Sequence, residues 1–150
     1  MVDEFAGNGV RFRYPELWEL TEQQNEDGVA MTVSGPGTSF WTLQLFFDAP
    51  APEHVISQAV EAFRGEYDEF DFYPVSGELC GRPASGGDVE FVCLELINSA
   101  FLRAFQTERF TALVLFQGTD TELEETRKTL DAITASLHCD SDDGGQLEGS

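Results

Sequence analysis

"SFWTLQLFFDAPAPEHVISQAVEAFRG", residues 39–65, changes its periodicity halfway, and that change decides the fold class. In the first part, Trp41, Leu43, Leu45 and Phe47 fall on one side and Phe40, Thr42, Gln44 and Phe46 on the other, the period-two pattern of a β-strand. The second side is half apolar, so the strand is expected to be central and partly covered on both faces. From Pro52 onward, Ile56, Ala59, Val60 and Phe63 recur at helical spacing, Pro52 suits a first helical turn, and Gly65 suits a C-terminal stop. A strand handing over to an amphipathic helix is the core of the reading.

Toward the N-terminus, "VRFRYPELWEL" (10–20) buries Val10, Phe12 and Tyr14 and exposes Arg11 and Arg13. Pro15 has no amide hydrogen for a neighbouring strand, so pairing is expected to lapse there, with Trp18 plugging the open end of the core. "LWELTEQQ" and "GVAMTVSG" read as a hairpin around the turn signal Asp27-Gly28. Toward the C-terminus, "EFDFYPVSGEL" is a strand, "CGRPASGG" a turn-rich stretch and "DVEFVCLELIN" one continuous strand. "AFLRAFQ" and "FTALVLFQG" follow, joined tightly through "TER". "TDTELEETRKTLDAITASL" closes with a second helix, capped by Thr121 and Glu124, with Leu123, Leu130, Ile133 and Leu137 on one stripe. Residues 1–138 are expected to form one domain, and 139–150, "CDSDDGGQLEGS", a flexible acidic tail.

The order strands, helix, antiparallel strands, helix, together with "FRYPELW" (12–18), "GRPA" (81–84), "DVEFVCLEL" (88–96) and "ITASL" (133–137), resembles the Mog1/PsbP-like superfamily over about residues 9–137. The resemblance implies an α+β fold, a mainly antiparallel β-sheet flanked by two principal α-helices. It brings no catalytic motif. Members of that superfamily include photosystem accessory subunits, partners of a small GTPase, lipoproteins and adaptors for secreted toxins, and most act by binding. The leader and lipid-attachment cysteine of the exported ones are not read in residues 1–150, so a thylakoid or envelope role is not expected.

Charge narrows the partners. The chain carries 28 acidic and 8 basic residues, a formal charge of −20, and a single lysine, Lys128. Such a surface repels phosphate backbones and anionic headgroups, so neither nucleic acid nor membrane surface is an expected partner. The acid excess serves solubility, or meets a basic or amphipathic protein partner, or reflects adaptation to high salt. "MVDEFAGNGV" lacks the basic and apolar regions of a secretory leader, and no run is long enough to span a bilayer. The expectation is a cytoplasmic protein, or an exported one whose leader has been removed.

Chemistry-bearing patterns are sparse. Cys80, Cys93 and Cys139 are odd in number and irregularly spaced, His138 and Cys139 diverge on any regular element, and "DSDDGG" lacks the ligand pattern of a calcium loop. No metal or cofactor is expected. His54 lies on the solvent side of the first helix, and His138 is placed to favour the second helix's C-terminal dipole. Two groups remain as ligand or partner candidates. Glu95, by alternation, shares a face with Phe91, Cys93 and Ile97 and needs a partner such as Arg103, as a structural ion pair or the polar floor of a cleft. Phe40, Phe46, Phe70, Phe72 and Tyr73 exceed what one sheet face needs, so they cover a second face or line a groove. The leading functional expectation is a non-catalytic accessory or adaptor protein. The alternatives are a carrier of a small apolar ligand in the aromatic groove, and a hydrolase built on carboxylates such as Asp68, Glu69 or Glu95.

Overall fold

The computed structural model describes residues 1–139. In chain order the elements are β1 (Val2–Gly7), β2 (Val10–Pro15), β3 (Glu19–Gln24), β4 (Gly28–Ser34), β5 (Phe40–Phe46), α1 (Pro52–Glu66), β6 (Phe70–Leu79), β7 (Arg82–Cys93), β8 (Leu96–Gln106), β9 (Thr111–Thr119), α2 (Asp120–Ala135) and β10 (His138–Cys139). Seven strands form one antiparallel sheet in the order β3-β4-β5-β9-β8-β7-β6. The chain leaves the third position after β5, crosses through α1 to the far edge, and returns by hairpins until β9 pairs with β5. The fold is α+β, a mainly antiparallel sheet flanked by two helices, as the switch at residue 52 requires.

The two faces of the sheet bury separate cores. On one, Val55, Ile56 and Val60 of α1 pack against Val89, Phe91, Ala100, Leu102 and Leu113. On the other, Leu130 and Ile133 of α2 meet Trp41, Leu43, Leu45, Phe101, Phe105 and Val114. The central strands therefore alternate between two buried faces, which explains why β5 and β9 are nearly continuous apolar runs. α2 does not cover its face alone. Strand β2, paired with β1 on one side and β10 on the other, forms a second, three-stranded sheet whose Val10, Phe12 and Tyr14 join that core. The Phe12 and Trp41 ring centroids are 4.7 Å apart, and the Trp41 indole N–H donates to Thr134 Oγ1 at 2.9 Å. Trp41 thus fastens both sheets and α2, and its truncation to alanine costs about 3–5 kcal/mol. Trp18 packs against the same core, close over Gly35, where an added Cβ would lie 2.7 Å from its ring.

Several local expectations are corrected. "RPASGG" (82–87) is the first half of β7, because the turn is confined to Cys80 and Gly81, both at positive φ. "DVEFVCLELIN" is not one strand: β7 stops at Cys93, Leu94 and Glu95 make a two-residue turn, and Leu96 pairs back to Cys93. Helix α1 runs through Gly65 to Glu66 and ends where Tyr67 turns extended, its N–H donating to the Phe63 carbonyl. The cap of α2 lies two residues before the expected pair: Thr119 and Glu122 satisfy each other's backbone amides. His138 sits in β10 opposite Arg11 rather than at the helix end, where Ser136 is the cap. Cys139, assigned to the tail by composition, pairs with Val10 and is buried. The rest of the expected acidic tail, 140–150, lies outside the described residues. No described helix is long and apolar enough to cross a membrane.

Candidate functional site

The structure disperses the residues singled out by sequence. Glu95 occupies the tip of the β7–β8 hairpin and is exposed, because the turn at Leu94 breaks the alternation that would have placed it beside Phe91. Arg103 pairs instead with Asp88 (3.2 Å) and also donates to the Gly87 and Leu102 carbonyls, at 3.2 and 2.8 Å. It cross-links β7 to β8. Phe40 and Phe46 lie at opposite ends of β5, and Phe46 packs into the α1 core. Phe72 joins that core too, its ring filling the space a side chain at position 87 would need. Tyr73 faces the other way. Phe46, Phe70 and Phe72 thus help cover the α1 face of the sheet.

What the fold does expose is the end of the β7–β8 hairpin. Leu94 is 89% exposed, Leu96 55% and Ile97 51%. Both residues of its two-residue turn have positive φ, 53° for Leu94 and 67° for Glu95, a region that bulky L-residues avoid. The other two such turns put glycine second, at Asn8-Gly9 and Cys80-Gly81. An exposed leucine on a strained turn gains nothing from burial.

Beside this tip, at the edge strand β6, lies a depression of about 200 Å³ lined by the acidic residues Glu69, Asp71 and Glu90 and the apolar residues Phe70, Phe91, Val92 and Ile97. The Glu69 carbonyl accepts from the Val92 N–H at 3.1 Å, which pins the start of β6 to the hairpin. Phe91 is held from below by Tyr67 and Phe63, at centroid distances of 4.4 and 5.2 Å. Next along the strand, the Asp71 and Glu90 charges push the Tyr73 phenol above its usual 10.0. Asp68 and Glu69 are exposed in the connection from α1, and Glu95 is on the turn. Among the described residues no group of three or more His, Cys, Asp or Glu side chains is arranged to hold a metal ion. Sequence reasoning missed Leu94, Leu96 and Ile97 because nothing in "CLEL" signals a turn.

At the level of sequence, no family and no curated protein matches the chain. Solved structures do. A protein from Bacteroides thetaiotaomicron superposes with a TM-score of 0.61 at 13% identity over 91% of this chain, which spans only 47% of that one. Cyanobacterial PsbP (CyanoP) from Synechocystis gives 0.55 at 13% identity, covering 92% of each chain. LpqN of Mycobacterium tuberculosis, a protein involved in cell envelope biogenesis, gives 0.51 at 10% identity, covering 91% of this chain and 90% of its own. At these identities the likeness is one of fold: the chain has a Mog1/PsbP-like fold.

Proposed function

We propose that this protein is a non-catalytic binding module that captures a basic, amphipathic segment of another protein at the β7–β8 hairpin. The observation that carries the proposal is the solvent-facing Leu94, Leu96 and Ile97, raised on a strained turn beside a depression lined by Glu69, Asp71 and Glu90. Apolar residues of the partner cover the tip, while its Lys or Arg side chains reach the carboxylates. Covering what remains exposed of the three aliphatic side chains yields about 3–6 kcal/mol. The entropic cost of association is of the same order, so the complex depends on the charges and is transient and salt-sensitive.

A photo-crosslinking residue at position 94, compared with one at the half-exposed Phe47 just past β5, at the other end of the sheet, tests this reading. Discrete adducts from position 94 alone, suppressed by excess of a synthetic lysine-leucine peptide and not by a glutamate-leucine one, are expected. Equal labelling from both positions, or indifference to the peptide's charge, counts against it.

A further inference from the structure

A groove of about 450 Å³ runs between β2 and α2 on the far side of the α2 core, independent of the hairpin. Val2, Pro15 and Ala132 supply apolar lining, and Arg13 and Lys128 are among the residues that border it. Its walls are fixed: the Ser136 hydroxyl accepts from the Arg13 N–H at 2.8 Å, locking β2 onto the end of α2. Val2 is 67% exposed there although its strand is paired, leaving apolar surface uncovered.

The charge of this groove runs against the rest of the molecule. Acidic residues outnumber basic ones 28 to 8, and yet neither Arg13 nor Lys128 has a carboxylate within ion-pairing distance among the described residues. Glu4 lies opposite Arg13 in the strand register without pairing to it. Asp131, on the same helix face as Lys128, is taken by Arg127 at 3.2 Å. Arg13 and Lys128, in a lining that includes no acidic residue, complement a molecule with one negative head and one aliphatic body. The guanidinium offers a planar fork to a carboxylate and the ammonium a second point charge. The volume sits low in the small-molecule range of about 300–1,000 Å³, suited to a single chain rather than a folded segment.

We propose that this groove binds a single-chain anionic amphiphile, an aliphatic carboxylate whose head is held by Arg13 and Lys128 and whose chain lies on Val2, Pro15 and Ala132. The test is calorimetric titration of the full chain with laurate, with dodecanol as the uncharged match and butyrate as the head without the body. Laurate is expected to bind one per chain, with dodecanol and butyrate at least about tenfold weaker, a difference of about 1.4 kcal/mol. The R13Q/K128Q double variant is expected to reduce laurate to the level of dodecanol, and Ala132→Trp to abolish binding of both. All three positions are exposed, and circular dichroism and thermal melting of each variant verify that the fold is kept. Equal affinity for laurate and dodecanol, or laurate binding untouched by the double variant, overturns the assignment. So does tighter binding of an acidic leucine-bearing peptide, or a dimer in sedimentation that the double variant dissolves, since either would make the groove a protein interface.

Discussion

Replacing Leu94-Glu95 by Asn-Gly should stabilise the fold while weakening its binding. Leu94 and Glu95 have φ of 53° and 67°, close to the 56° and 86° of Asn8-Gly9, where the chain already uses the favoured pair. A left-handed conformation costs an ordinary L-residue about 1–2 kcal/mol. Glycine at 95 removes that cost at one position, asparagine at 94 removes part of it, and glycine's extra freedom in the unfolded chain returns up to about 1 kcal/mol. Leu94 is 89% exposed, so its loss forfeits almost no burial. The net is about 1–2 kcal/mol, a rise in Tm of roughly 3–6 °C for a domain of this size. Calorimetry and urea titration measure it, and an unchanged or lowered Tm would refute the strain argument. Glu95→Gly alone keeps the aliphatic tip. It should gain most of the stability and retain capture of a basic segment, whereas the double variant loses Leu94 and binds less well. Parallel loss in both would mean that the turn's shape, rather than its leucine, is what a partner reads.

Three further outcomes follow from named contacts. Burial of Glu122 favours its neutral form, but hydrogen bonds from the Thr119 N–H, the Thr38 hydroxyl and the Thr38 N–H (3.0, 2.7 and 2.8 Å) outweigh it and hold the carboxyl below the usual 4.5. Stability from a lowered carboxyl is present above 4.5 and lost as pH falls through its folded value. Glu122→Gln should therefore cost about 1 kcal/mol near neutrality, closing in acid, and a pH-independent difference would contradict it. In the D71N/E90Q variant, ultraviolet difference titration should show one tyrosine, Tyr73, ionising closer to 10.0; an unmoved curve would deny the local negative potential. With a charge of −20, Tm should climb from 0.1 to 1 M salt as the screening length contracts from about 10 to about 3 Å, and a flat response would show self-repulsion to be minor.

The sequence was most legible where a pattern ran long enough to admit one period. Residues 39–65 announce strand and helix because eight alternating positions and four helical ones leave no competing reading, and both elements lie where expected. It misled where a local choice depended on a distant partner. Thr119–Glu122 and Thr121–Glu124 have the same spacing, and the earlier pair caps α2 in a position where Glu122 also holds the Thr38 loop, a contact 84 residues away in sequence. Alternation carried Glu95 onto the core face because Leu94-Glu95 contains neither glycine, asparagine nor proline. A turn made by residues that disfavour it leaves no compositional trace. The Asn8-Gly9 hairpin did leave one, and it marks the missing strand β1: "VDEFAG" before it pairs residue for residue with "VRFRYP" after it.

The two proposed sites respond to the same field in opposite ways, which makes their independence physical rather than nominal. Twenty surplus negative charges attract a basic segment from any direction, so at the hairpin the long-range field and the local carboxylates Glu69, Asp71 and Glu90 act together. Added salt then weakens capture steeply. At the groove, the field repels an anionic head while Arg13 and Lys128 attract it at contact. Salt screens the distant repulsion more completely than the close attraction, because the former acts beyond a Debye length and the latter within it. Affinity for a carboxylate amphiphile should hence vary little with salt. An acidic surface thus does not exclude an anionic ligand; it requires that the ligand's apolar body supply most of the binding free energy and that cations border the place where the head must rest.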